Sequence, residues 1–378
     1  MQKVLFITKT RSGFGSHIVL TQLVHGLRKR NTKVDVLVSE HATEHSRWPK
    51  TLDIWDDIKP EVLTFSEHIS EQFKVGTPDA FSNYDDVLLN DTNIVNRIKR
   101  ALESQTYTYV VLDSWYITYA AIMAGASNFS NVVQLVQSEP EFVPENREKQ
   151  WKAAAFKLLA HMPLKRIFIS KTLSKQYEIT YGQAHPYTSF FLEDTFQSKD
   201  YAVDDTVDRP LRLVSVASNF NLPNKGLKNL LQNLSIVNAQ YFPVELSLIC
   251  AFKINMNLST DYPVSVITDA LEPIKRAVHL MNSDLYVTTT RNESPGLAQA
   301  EAIALGMPSV ALDSNGNHDY YNGKNFLMAK NNTEFIKYIV ACNDVTVRKT
   351  LSREAISSMQ HFTLDNFIQR FLDILTKN

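Results

Sequence analysis

The feature that most restricts the fold is an alternation, present twice along the chain, of short apolar runs with segments of helical periodicity. The first run spans Val4 to Thr8; Leu20, Leu23, Val24 and Leu27 then recur at i, i+3, i+4, i+7, and "VDVLV" follows at strand length. Runs apolar on both faces belong to parallel strands covered by helices, not to half-solvated antiparallel ones. "YVVLDSW", "NVVQLVQSE", "RIFISKTL" and "YTSFFL" read as further strands. Residues 41–104 are polar and irregular, predicting surface helices and loops with one helical signature near Ile94 to Leu102. A polar, acidic, proline-closed stretch at 197–210, "QSKDYAVDDTVDRP", then reads as a linker. Beyond it the alternation restarts: "LRLVSVAS", a helix from Gly226, "VELSLICA", "VSVIT", the helix "IKRAVHLMN", "DLYVTT", a helix after Gly296 and "SVAL". The expectation is an α/β protein of two doubly wound domains, 1–200 and 201–378, facing each other across a cleft. The last helix, about 363–376, is expected to pack back on the N-terminal domain.

Length agrees with two domains, since 378 residues exceed what one ordinary core encloses. A hydrophobic content of 44%, a charged content of 21% and a net charge of −1 fit a globular protein with no global pull toward nucleic acid or anionic lipid. Cys250 and Cys342 stand in apolar surroundings and read as reduced core residues. No stretch approaches the ~20 apolar residues of a membrane-spanning helix. A cytoplasmic location follows as the expectation, at most peripheral to the inner face of the membrane. No Cys/His cluster has metal-ligand spacing, and neither a Walker-type phosphate loop nor a Gly-x-Ser-x-Gly elbow occurs, so no metal and no cofactor is expected.

The chemistry concentrates in "RNESPGLAQAEAIALGMPSVA", residues 291–311. A strand ends near Thr290, Pro295 suits a first helical turn, and Gly306 with Pro308 stops the helix. The amides of Gly296 and Leu297 then fall among the unpaired donors of a helix start, where an anion is favoured. Glu293 precedes that start and Glu301 follows it. Carboxylates flanking an anion-binding turn suit a ligand carrying phosphates between two polyhydroxyl groups, which is a nucleotide sugar.

The segment "TRNESPGLAQAEAIALGMPSVALDSNGNHDYYNGKNFLM" resembles the donor-site signature of the family-four retaining glycosyltransferases, whose GT-B fold is built from two Rossmann-like domains. Glu293, Gly296, Leu297, Glu301, Ala302, Gly306, Pro308, Gly316, Gly323 and Leu327 fall in register with it. The resemblance implies that Glu293 contacts the transferred sugar, that Gly296 and Leu297 contact sugar and diphosphate, and that Glu301 binds the ribose. "VSVASNFNLPNKGLKNLLQNL" is similar to the family's strand, loop and helix whose Lys binds the donor diphosphate, which assigns Lys225. The usual Arg about five residues earlier is replaced by Asn219 or Phe220; Arg291 is expected to compensate in part. "RSGFGS" resembles the glycine loop of the first domain, placing Gly13 on the acceptor side and Gly15 on the donor side. "QSEPEF" is reminiscent of transferases of bacterial rhamnose-containing glycans. The family's His in this span is absent, with Gln137, Ser138 or Glu139 in its place.

What the resemblance implies is a metal-independent retaining hexosyl- or deoxyhexosyltransferase that moves a sugar from a nucleoside diphosphate to a glycan, lipid-linked or protein acceptor. The competing expectation, drawn from the missing Arg and His, is a catalytically weak GT-B subunit that binds a glycan or glycoprotein and supports an active partner. Residues 147–166 carry Arg147, Lys149, Lys152, Lys157, Lys165 and Arg166 with interleaved apolar residues, a pattern suited to a helix against anionic membrane. Neither the donor sugar, the acceptor nor the oligomeric state follows from the sequence.

Overall fold

The structure, a computed structural model, describes residues 2–8, 15–40, 61–64, 92–104, 106–113, 115–137, 159–197, 201–206, 208–269, 272–293 and 295–377. The chain forms two compact units, Met1–Ser189 with Ile368–Asn378, and Phe190–Phe367.

The first unit holds a sheet of β1 (Lys3–Thr8), β2 (Lys33–Glu40), β3 (Glu61–Thr64), β4 (Tyr109–Asp113), β5 (Val132–Val136) and β6 (Lys165–Phe168), ordered β3-β2-β1-β4-β5-β6. All its pairings are parallel. Helix α1 (Gly15–Lys29) connects β1 to β2 and buries Leu20, Leu23, Val24 and Leu27, the stripe its sequence periodicity predicts. Helices α2 (Thr92–Glu103) and α3 (Trp115–Met123) contribute Ile98, Leu102, Ile117 and Ala121 to a core with Leu5, Ile7 and Leu112. Within 41–104, β3 is a strand where only helices and loops are expected; its four residues, "EVLT", are too short to show a period but pair with Leu37 to Glu40. After α4 (Lys171–Tyr181), "YTSFFL" is not a strand. Only Tyr187 bridges to Phe168, while Phe190 and Leu192 leave for the core of the second unit.

The second unit repeats the plan with β7 (Leu211–Val216), β8 (Val244–Ile249), β9 (Val264–Ile267), β10 (Leu285–Thr288), β11 (Ser309–Leu312) and β12 (Leu327–Ala329), ordered β12-β11-β10-β7-β8-β9 and again parallel. Its helices are α5 (Leu227–Gln240), α6 (Pro273–Met281), α7 (Leu297–Ala304), α8 (Asn332–Ala341) and α9 (Val345–Met359). On α5, Leu227, Leu230, Leu231 and Leu234 are buried, each stabilising by roughly 1.5 to 3 kcal/mol relative to exposure. The unit begins at Phe190, ahead of the acidic stretch. Phe190, Leu192, Phe196 and Tyr201 pack with Tyr286, Ala300 and Ile303, so apolar content outweighs the polar composition that suggests a linker. Asp204, half-exposed within this stretch, is anchored by ion pairs. It accepts from Arg209 at 2.7 Å and Arg212 at 2.9 Å, and both arginines also reach the buried Asp284. Helix α10 (Leu364–Thr376) straddles the division of the chain; from Ile368 onward it belongs to the first unit, with Phe371 stacked on Phe6 at 6.3 Å between ring centroids.

Both sheets reverse their strand order at one central pair, β1/β4 in the first and β7/β10 in the second. Loops leaving the carboxyl ends of strands at such a switch point diverge and open a crevice for ligands.

Candidate functional site

The loops that leave the second switch point carry the residues singled out in the sequence. After β7 the chain passes through a single turn, Pro223–Lys225, into α5; after β10 it runs through Arg291 and Glu293 to α7. The two loops are fastened together. Arg291 N donates to Asn224 O at 2.7 Å, and the Thr289 hydroxyl donates to Gly226 O at 2.8 Å. Gly226 permits this approach: its φ is 65°, and a Cβ there would lie 2.4 Å from the Thr289 carbonyl oxygen. Lys225 is thereby brought onto Glu293, and its ammonium donates to Glu293 Oε1. Gly226→Ala is expected to force the two loops apart and to abolish the Lys225–Glu293 contact, read as loss of nucleotide-induced thermal stabilisation while the far-ultraviolet circular dichroism stays native.

Glu293 is held from its other side as well, its amide donating to Ser314 O at 3.1 Å, which ties the loop after β11 to the site. Helix α7 then starts behind Gly296 (φ 79°), which offers no side-chain cap. Its first-turn amides therefore have no intrahelical acceptor and carry the positive end of the helix dipole. A Cβ on Gly296 would sit 3.2 Å from the Tyr320 hydroxyl, a tight contact, and the positive φ itself favours glycine at this helix start.

Glu301 lies one turn further along α7, and its carboxylate is not free for solvent. Arg276 of α6 donates through Nε to Oε2 at 2.8 Å and through a terminal nitrogen to Oε1 at 2.9 Å, a two-point contact. Burial raises the Glu301 carboxyl above its usual range, and the Arg276 guanidinium pulls it back. The guanidinium also lies over the Phe196 ring, 5.1 Å from its centroid. Glu193, just before the turn that carries Phe196, has its carboxyl pushed up to about 7, first by burial and then by the charge of Glu301. Neither Arg276 nor Glu193 stands out in the sequence, where one lies in an ordinary amphipathic helix and the other ends an apolar run.

The remaining predicted residues are placed as follows. Arg291 is exposed, and its backbone rather than its side chain joins the two loops. Phe220 is buried in the core, and the Asn219 side chain accepts from the Asn221 amide at 3.0 Å, so neither supplies a cation in place of an Arg. Gly15 begins α1. Gly13, Ser138 and Glu139 lie outside the described residues. Of the basic 147–166 stretch, 147–158 also lie outside them; Arg166 is fully buried, donating to Gln134 Oε1 at 3.0 Å, because it sits on β6 and not on a surface helix. Lys165 donates to the carbonyls of Leu375 and Lys377.

The first switch point carries a polar group that the sequence reading leaves aside. Asp113, closing β4, accepts from the Thr8 hydroxyl at 2.9 Å and from Gln137 Nε2 at 2.6 Å. Burial pushes its carboxyl up to about 6. Among the described residues no group of three His, Cys, Asp or Glu could hold a metal ion, and no helix is long and apolar enough to cross a membrane.

Residues 211–343 match the family model described as glycosyl transferases group 1. No curated protein matches the chain. Among solved structures, the chain is similar to sucrose-phosphate synthase from Thermosynechococcus elongatus, at a TM-score of 0.76 and 14% identity over 99% of this chain and 98% of that one. It is also similar to Anabaena HepE in complex with UDP and glucose (TM-score 0.70, 14% identity, all of both chains). A third likeness is to the lipopolysaccharide outer core galactosyltransferase WaaB (TM-score 0.69, 13% identity, 99% of both chains). The fold is thus GT-B, two Rossmann-like units.

Proposed function

We propose, from the match of residues 211–343 to the glycosyl transferases group 1 model in a GT-B fold, that the protein transfers a sugar from a nucleoside diphosphate sugar to a glycan, lipid-linked or protein acceptor. The observation that carries this reading is the convergence of Lys225, Glu293 and the uncapped start of α7 at the switch point of the second sheet, inside the matched segment. Each has a task in that reaction. The diphosphate takes the Lys225 ammonium from Glu293 and lies against the amides of Gly296 and Leu297. Glu293, released, accepts from hydroxyls of the transferred sugar. Glu301, fixed by Arg276, accepts from the ribose hydroxyls.

The bond between the anomeric carbon and the phosphate oxygen breaks as the acceptor oxygen bonds to that carbon on the same face, giving retention. The acceptor proton passes to the leaving diphosphate, so no side-chain nucleophile is used. Negative charge grows on the diphosphate as the bond breaks, and Lys225 with the two amides stabilises that state more than the ground state. Cationic side chain and amides fill the role a divalent ion would otherwise take, consistent with metal independence. UDP is the first donor nucleotide to consider, because HepE is in complex with UDP and glucose.

A second reading, a catalytically weak subunit that supports an active partner, is favoured by one observation: the loop after β7 supplies Lys225 but no second cation from Asn219 or Phe220. Both readings require a donor site to be tested first. In a thermal-shift series with UDP, GDP, dTDP, ADP and their glucose conjugates, one nucleotide is expected to raise the melting temperature, by the equivalent of about 2.7 kcal/mol at a hundredfold excess over Kd. No shift with any of them overturns the donor site; a shift without transfer to any acceptor favours the second reading.

A further inference from the structure

The amino ends of the first sheet border a polar cavity that the proposed reaction does not use. β3 pairs with β2 only from Leu37 to Glu40, so among the described residues Asp35 and Val36 have a strand neighbour on the β1 side alone. Helix α2 packs on this part of the sheet, with Ile98, Ala101 and Leu102 in one core with Leu5 and Leu37. Between helix and sheet a cavity of about 200 Å³ remains. Leu5, Leu37 and Ala101 give it an apolar wall, and Arg28, Arg97, Asp35 and Tyr107 line the rest with charge and a phenol.

These polar groups are anchored by the fold. The Arg28 guanidinium, reaching from the end of α1, donates to Val34 O at 2.9 Å. Asp35 Oδ2 accepts from the Tyr107 hydroxyl at 3.0 Å and pairs with Lys3 at 3.0 Å, and the Lys3 ammonium stands over the Tyr107 ring, 4.7 Å from its centroid. Both contacts fall on one carboxylate oxygen, so Oδ1 keeps its acceptor capacity. With Lys3 balancing Asp35, Arg28 and Arg97 leave the described lining with an excess of positive charge. Guanidinium forks match the oxygens of a phosphate.

We propose that this cavity binds a small phosphorylated polyol: Arg28 and Arg97 hold the phosphate, Asp35 Oδ1 accepts from a hydroxyl, and the apolar wall meets the carbon-bound hydrogens. Two features select that class. A carboxylate in the wall repels a bare oxyanion and favours a ligand that carries hydroxyls beside its anionic group. The volume lies below the roughly 300 to 1,000 Å³ of pockets for drug-sized molecules, which suits a monosaccharide or glycerol phosphate better than a sugar nucleotide. Lys225, Glu293 and Glu301 belong to the second unit, so the two sites share no residue.

The test is calorimetric titration of the full chain with glucosyl phosphate, mannosyl phosphate and glycerol phosphate, with inorganic phosphate as the probe of the anionic half alone. At least one of the three is expected to bind about tenfold more tightly than inorganic phosphate. Arg97→Gln is expected to weaken that binding about tenfold at an unchanged melting temperature of the unliganded protein, whereas a purely structural Arg97 moves the melting temperature and not the affinity. Asp35→Ala is expected to level the affinities for the polyol phosphate and inorganic phosphate. Lys225→Ala, which removes the diphosphate contact of the donor site, is expected to leave the binding as it is. Absence of binding by all three compounds, full affinity kept by Arg97→Gln, or a preference over inorganic phosphate kept by Asp35→Ala overturns the proposal. Loss of binding in Lys225→Ala overturns it too, by locating the ligand in the donor site.

Discussion

Lys225→Ala lowers kcat/KM for the sugar nucleotide by about 30- to 900-fold, equivalent to roughly 2 to 4 kcal/mol of transition-state stabilisation. The size follows from what the ammonium faces. It is mostly buried against Glu293, on a loop fixed by two hydrogen bonds from the end of β10, so the fold itself sets its place. A preorganised charge costs no rearrangement when negative charge develops, which is why its loss appears in kcat as well as KM. Steady-state kinetics with a confirmed donor decide it: a variant with wild-type kcat/KM removes Lys225 from the reaction.

Glu301→Ala is expected to cost about 3 to 5 kcal/mol of folding stability, because it leaves the Arg276 guanidinium buried without its carboxylate. Glu293→Ala is expected to cost less, since the Lys225–Glu293 pair is a single contact and more exposed than the two-point Arg276–Glu301 pair. The two glutamates therefore separate by different measurements. Urea unfolding distinguishes the first, with a lower midpoint at unchanged slope, and turnover distinguishes the second. Replacing Arg276 and Glu301 together by methionine removes both buried charges and is expected to recover most of the lost stability while donor affinity stays low. Equal unfolding midpoints for Glu301→Ala and wild type contradict the buried pair.

The sequence carries the periodic parts of this molecule and misses those fixed by partners distant along the chain. Strands such as "LRLVSV" and helices such as α5 are legible because their apolar spacing depends only on near neighbours. Glu293 and Glu301 are legible because a helix start lies between them, and Lys225 because its segment resembles a known one. Arg276 is not: one arginine in an amphipathic helix reads as solvated, and only the fold reveals that its face meets Glu301, 25 residues away. Asp113 reads as the end of a strand until β1 brings Thr8 beside it. Composition misleads at 197–210 for a related reason, since the arginines that hold Asp204 are themselves fixed by Asp284, which reaches them only when β7 and β10 pair.

Pairing strands out of chain order also dictates when a site can exist. Lys225 and Glu293 stand 68 residues apart, and the strands that carry them meet only after the intervening β8, β9 and α6 have been laid down. Closing so long a loop costs entropy before any contact repays it, and it places such pairings late in folding. The Lys225–Glu293 contact arrives with the central pair of the sheet, and its tie to Ser314 only after β11 has followed.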